Sequence, residues 1–286
     1  MTMPMELDYT MMSTFLTCRR KYWLRIVNGL VGHKPPTAAE FGRCIHLALD
    51  HWYNTKDDTK SIEMFCSAFK EDPDDNKRTH AVGRKVLQIY FDRYRDLDMK
   101  VLATEVEFCV PIPETDHKLI GRIDKIVNWD GATYVMDHKT TSRLGYAFFN
   151  KIKPNMQFTG YIWAARQTGH PNCDGIILDA VLVAKGLCVP SQASRLTPVA
   201  RDISTRVYDE IREYLTGVKG IIRDMRACYN SGEWYMNTDS CCDFVECPYR
   251  KVCSQEPNIR EQIMKSDYKV EYWSPRRKDD KVQPQS

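Results

Sequence analysis

The chain has 286 residues, 43% hydrophobic and 28% charged, the profile of a soluble globular protein with one large domain or two small ones. Fourteen Gly and fourteen Pro exclude collagen-like and low-complexity classes, and no apolar run approaches the roughly 18 residues of a membrane helix, so no membrane association is expected. Forty-one Lys and Arg against 38 Asp and Glu leave a net charge of +3, too small to establish a nucleic-acid partner by itself. Eleven Cys, an odd number with no export leader, point to reduced thiols or metal ligands in a reducing compartment.

Ser13–Val27 is predicted as a basic amphipathic helix with Ser13 as its N-cap. Its Arg19, Arg20, Lys21 and Arg25 could meet a phosphate backbone, and Tyr22 or Trp23 could stack a base. A break from Gly29 to Pro36 precedes a second helix over Phe41–Tyr53, with Phe41, Ile45, Leu49 and Trp52 in one stripe and His46 beside it. Glu71–Asn76 reads as a loop and His80–Leu97 as a long helix. The period then shortens: Leu102–Ile112, Lys118–Trp129 and Thr133–Lys139 are predicted strands, the last two joined by a hairpin turn at Asp130-Gly131. Met156–Gln167 is a helix, Gly175–Ala184 a buried strand and Ile203–Tyr229 a long amphipathic helix.

The expected division is an N-terminal helical region (1–100) carrying Cys18 and His46, an α/β core (101–235), a cysteine-rich segment (236–273) and a frayed tail (274–286). No fixed-period repeat, phosphate-binding P-loop or G-x-G-x-x-G is present, so ATP hydrolysis and dinucleotide chemistry lose support.

The chemistry concentrates in the hairpin. Asp124 closes Gly121-Arg122-Ile123-Asp124, and Asp137-His138-Lys139 follows the turn, so the two strands can bring both carboxylates together. Alternation sends Asp137 and Lys139 to one face and His138 to the other. Two carboxylates and a main-chain carbonyl suit Mg²⁺ or Mn²⁺, and a lysine can orient water or offset phosphate charge. An exposed Asp–Lys pair would mean little, but the run Thr133–Met136 before Asp137 is expected to be at least half buried, where an unpaired charge is costly. Gly42 allows a close approach of the helix carrying His46. Glu105 and Glu107, two apart in a strand, share a face, and either could complete an acidic cluster. Gln157 and Tyr161 lie one helical turn apart, both able to bond a phosphate or a catalytic group.

The order S-x-x-x-x-C-R-R-K-Y, G-x-x-x-H, E, G-x-x-D, D-x-K, Q-x-x-x-Y and a terminal Cys cluster, over Ser13 to Cys253, resembles the PD-(D/E)xK nuclease superfamily, and within it RecB-like exonucleases with an iron–sulfur cluster, of the CRISPR-associated and AddB-like type. The resemblance implies a restriction-endonuclease-like core, a central mixed β-sheet flanked by helices. It implies metal held by His46, Asp124, Asp137 and the His138 carbonyl, Lys139 as catalytic lysine, Gln157 and Tyr161 as a supporting motif, and Glu105 as the acidic residue with Glu107 its competitor. In Asp239–Cys253 (DSCCDFVECPYRKVC) the thiols suit a [4Fe–4S] cluster or tetrahedral zinc. By the same resemblance Cys18 joins Cys247, Cys253 and one of the Cys241-Cys242 doublet, Cys241 being preferred. The implied activity is a Mg²⁺- or Mn²⁺-dependent deoxyribonuclease acting on single-stranded or frayed DNA ends in repair or recombination. It would work in a bacterial, archaeal or phage-encoded cytoplasmic setting, with a helicase, recombination or CRISPR partner supplying unwinding. The alternative is a non-catalytic nucleic-acid-binding subunit with a structural metal.

Overall fold

A computed structural model of the chain describes all residues except 1, 35, 194, 243–245 and 275–286. In chain order the elements are β1 (Glu6–Leu7), α1 (Tyr9–Thr17), α2 (Arg19–Tyr22) running into a π-helical turn (Trp23–Val27), β2 (Leu30–Gly32), α3 (Thr37–Thr55), α4 (Asp58–Ala68) and α5 (His80–Tyr94). Then come β3 (Met99–Pro111), β4 (Lys118–Trp129), β5 (Ala132–Thr141), α6 (Tyr146–Phe149), α7 (Met156–Gln167), β6 (Cys173–Leu182), α8 (Pro190–Ala193) and β7 (Val199–Thr205). The chain continues through α9 (Tyr208–Ser231), α10 (Arg250–Cys253), α11 (Arg260–Asp267) and β8 (Tyr268–Val270). The described residues form two compact units, one from 2–34, 109–121 and 212–274, the other from 36–108 and 122–211. The expected tail at 274–286 lies, apart from Ser274, outside the described residues.

The second unit is built on a mixed sheet. β4 and β5 form an antiparallel hairpin whose turn residues Asp130 and Gly131 both take positive φ (52° and 80°), the conformation a two-residue hairpin turn requires. β5 runs parallel to β6, and β6 antiparallel to β7. Val127, Met136, Ile177 and Val181 meet α3, α4 and α5 in one core cluster. The alternate residues Ile126, Val135, Ile176 and Leu178 are equally buried on the other face, where α7 packs on β5 and β6. Covering both faces explains why these strands read as nearly continuous apolar runs. α4 and α5 meet so closely that a Cβ at Gly83 would sit 2.1 Å from the Phe65 ring, itself fully buried. Gly83→Ala is therefore expected to destabilise the protein by about 2–3 kcal/mol through overpacking. A urea midpoint equal to wild type would show that the two helices have room to part.

In the first unit, Glu6 and Leu7 pair parallel with Lys118 and Leu119, and β2 pairs antiparallel with β8. Two expectations need correction. The predicted Ser13–Val27 helix is interrupted at Cys18 (φ −166°, ψ 122°), and Asp8, not Ser13, caps α1 by accepting from the Met11 N–H. Residues 203–205 belong to β7, not to the following helix, because pairing with Gly175–Ile177 satisfies their backbone. No helix among the described residues is long and apolar enough to cross a membrane.

Candidate active site

The hairpin register places Lys125 opposite Met136, so Asp124 and Asp137 are cross-strand neighbours on the other face. Asp137 is 2% exposed. The Lys139 ammonium donates to its Oδ1 at 2.9 Å and stands 2.8 Å from Oδ2. That second approach lies off the hydrogen-bonding direction, leaving Oδ2 buried without a donor. Burial raises the Asp137 pKa and Lys139 opposes the rise, while the two carboxylates hold Lys139 charged, its pKa raised against burial.

His46 reaches the hairpin from α3. Its apolar stripe, Phe41, Ile45, Leu49 and Trp52, is fully buried against the sheet, and a Cβ at Gly42 would come within 3.0 Å of Thr140 Oγ1. The close approach expected of Gly42 is thus made. His46 Nδ1 lies 3.2 Å from Asp124 Oδ2, which also accepts the His138 main-chain N–H at 2.9 Å. Burial would raise the Asp124 pKa, but the His46 and His138 imidazoles outweigh it and hold the carboxyl well below its usual range. Burial likewise lowers and Asp124 raises the His46 pKa, with a net increase. The His46 contribution to stability is therefore fully present below about pH 6.5 and lost as pH rises through its raised folded value, whereas the Asp124 contribution disappears only in strong acid. The metal-free protein should melt at a lower temperature at pH 9 than at pH 6, with a smaller fall in His46→Gln. Equal slopes would show that the pair contributes nothing.

Not every expected residue joins the hairpin in the same way. Glu105 has φ 49°, and the buried phase of β3 shifts across it, from Met99 and Val101 to Phe108 and Val110. This is bulge geometry, so Glu105 and Glu107 do not share a face by simple alternation, contrary to expectation. Glu105 is half-buried and pairs with Arg122 Nε at 2.8 Å; burial raises its pKa, and among its further influences is the charge of Asp124. Glu107 is exposed. On α7, capped by Asn155, the Gln157 amide donates to the Tyr161 hydroxyl at 2.9 Å. Burial, then the Asp137 charge, pushes the Tyr161 pKa up to about 12. The His138 ring lies between Asp124 and Tyr90, its Nδ1 3.6 Å from Asp124 Oδ2 and its Nε2 3.2 Å from the Tyr90 hydroxyl, and burial followed by Lys125 lowers its pKa to about 4.

In the first unit, Cys18, Cys241, Cys247 and Cys253 line one small pocket with Lys21 and Arg250, and none is disulfide-bonded. The irregular backbone at Cys18 serves this convergence: the Asn237 N–H donates to Cys18 Sγ at 3.3 Å, and the Cys247 N–H to the Cys241 carbonyl at 3.0 Å. Cys242 is exposed and outside the pocket. Burial and then the neighbouring sulfurs raise the Cys241 thiol pKa. Among the described residues no three His, Cys, Asp or Glu side chains are already drawn tightly enough to hold a metal ion. The expected stacking role of Tyr22 fails: it is fully buried, stacked on Trp234 at 5.8 Å and hydrogen-bonded to Tyr229. Arg20 and Arg25 are bonded to the Trp234 and Glu271 carbonyls.

The family model for the PD-(D/E)XK nuclease superfamily matches residues 7–254. The chain belongs to the PD-(D/E)XK nuclease superfamily. Its fold is similar to the crystal structure of a "Putative exonuclease" from Eubacterium rectale, with a TM-score of 0.50, 12% identity and coverage of 90% of this chain and 92% of that one. A second solved structure, SSO0001, is 16% identical with a TM-score of 0.30 over 63% of this chain and 72% of its own. No curated protein matches. Membership accords with the expected mixed sheet flanked by helices.

Sequence reading missed the polar groups behind the hairpin of this superfamily member. Asp179 is fully buried and bonded by Arg201 at 2.6 Å, and Lys125 is 1% exposed with Asp50 3.9 Å away. A signal existed: Asp179 is the single charge in Gly175–Ala184, and a buried charge needs a partner.

Proposed function

We propose that this chain is a metal-dependent deoxyribonuclease, an exonuclease on single-stranded or frayed DNA, with a structural iron–sulfur cluster in its other unit. The observation that carries the catalytic reading is the buried, donorless Asp137 Oδ2 beside both the Lys139 ammonium and the Asp124–His46 pair. An oxygen in that state fits a cation, and hard carboxylate oxygens with one imidazole fit Mg²⁺ or Mn²⁺. Asp124, Asp137 and His46 would hold the ion, joined by the His138 carbonyl, with Glu105 nearby. When bound it would lower the pKa of water and offset charge on the scissile phosphate.

The chain's own residues do the rest. Lys139, kept protonated by two carboxylates, orients water and neutralises phosphate charge. Gln157 fixes the Tyr161 hydroxyl, which stays protonated at neutral pH and can donate to a phosphate oxygen. The exonuclease description of the Eubacterium rectale structure supports this reading. For the cysteine pocket, four thiols with no acidic side chain among the described lining residues suit a soft metal, and Cys241 rather than Cys242 would be the fourth ligand.

Labelled single-stranded, blunt and frayed DNA incubated with Mg²⁺ or Mn²⁺ tests the reading. Metal-dependent shortening from an end is expected, fastest on single strands. Binding without cutting would establish the non-catalytic alternative.

A further inference from the structure

The face of the sheet opposite the candidate site carries a hydrogen-bonded polar network where a well-packed core would use apolar groups. Arg201 Nη2 donates to Asp179 Oδ2 at 2.6 Å, and the Tyr90 hydroxyl donates to the same oxygen. Tyr90 also contacts the Tyr53 hydroxyl at 2.8 Å and His138 Nε2 at 3.2 Å. His138 and Asp179 are neighbours across β5 and β6. Such a cluster is a weak stabiliser, since desolvating the charges offsets their attraction, and two of its polar atoms, Asp179 Oδ1 and Arg201 Nε, lack hydrogen bonds. Its geometric output is clearer than its energetic one. The Tyr90 hydroxyl donates its hydrogen to Asp179, so its oxygen accepts from His138 Nε2, and the ring is held between Tyr90 and Asp124 Oδ2, 3.6 Å from its Nδ1. The same residue's main-chain N–H orients Asp124 Oδ2 at 2.9 Å, the atom His46 also grips.

We propose that Tyr90, Asp179 and Arg201 are positioning residues that act on Asp124 through His138: by anchoring the ring they fix the strand segment whose N–H aims the Asp124 carboxylate at His46. This rests on reading Asp124 and His46 as metal-holding groups. Outer partners of this kind are worth about 10- to 100-fold in metal affinity.

The test is Tyr90→Phe, which keeps the ring and removes the hydroxyl, compared with Val86→Ala, a packing lesion in the same helix at a fully buried position that removes no hydrogen-bonding group. In metal-free protein with ¹⁵N-labelled histidines, Tyr90→Phe should move the ring signals of both His138 and His46. It should also weaken Mn²⁺ binding, read by calorimetry, about tenfold. Val86→Ala should do neither at equal loss of thermal stability. Should Tyr90→Phe not fold, Tyr53→Phe, which removes the hydroxyl that bonds Tyr90 and accepts from Arg201, reads the same effect at smaller amplitude. An unmoved His46 signal in the folded variant, or equal movement in Val86→Ala, overturns the proposal. A wild type that never cleaves DNA but shows the His46 response would remove the nuclease reading and leave the positioning role standing.

Discussion

Lys139→Met should cut single-stranded DNA about 10²- to 10³-fold more slowly than wild type, the range lost with one positioned charge-stabilising donor, while still binding Mn²⁺. Asp137→Asn should lose both cleavage and Mn²⁺ binding. The asymmetry follows from the geometry. Met preserves the stem of the lysine and removes the ammonium, so both Asp137 oxygens remain and one competitor for them is gone. Asn keeps the volume but replaces an anionic oxygen with an amide that a divalent ion binds poorly. Neither change should unfold the chain, because the Lys139 side chain is 38% exposed and its charge can turn to water when Asp137 is neutralised. Single-turnover cleavage and calorimetry separate the two effects. Wild-type cleavage by Lys139→Met, or retained cleavage by Asp137→Asn, would end the assignment of this hairpin as the catalytic centre.

Cys247→Ser should bleach protein purified without oxygen, which in the wild type is expected to be brown with absorption at the blue end of the visible. It should also lower stability by up to about 5 kcal/mol. That magnitude is what a chain-entropy argument gives for releasing a link between Cys18 and Cys241, which closes a loop of more than two hundred residues. Cys18→Ser should behave alike, since Cys18 lines the same pocket. Cys242→Ser, at an exposed position, should change neither colour nor thermal midpoint. Colourless protein carrying zinc would replace iron with zinc and keep the staple; a Cys247→Ser protein as stable as wild type would remove it.

The sequence alone determined the elements whose signals are local. Lys118–Trp129 and Met156–Gln167 have the bounds expected of them, because a Gly-containing turn after one and an Asn cap before the other act within a few residues. The proximity of Asp124 to Asp137 was equally legible, since a tight hairpin leaves little choice of register. Tertiary structure alone decided the rest, because long-range contacts set it. The helix break at Cys18 faces residues more than two hundred positions away, and the bulge at Glu105 shifts an alternation that a strand pattern assumes unbroken. Residues 203–205 became a strand because β6 offered unpaired backbone on that edge. Lys125, Tyr90, Asp179 and Arg201 carry no mutual spacing rule. They meet because α3, α5, β4, β6 and β7 are stacked on one another, and burial then obliges each charge to find a partner wherever the fold supplies one.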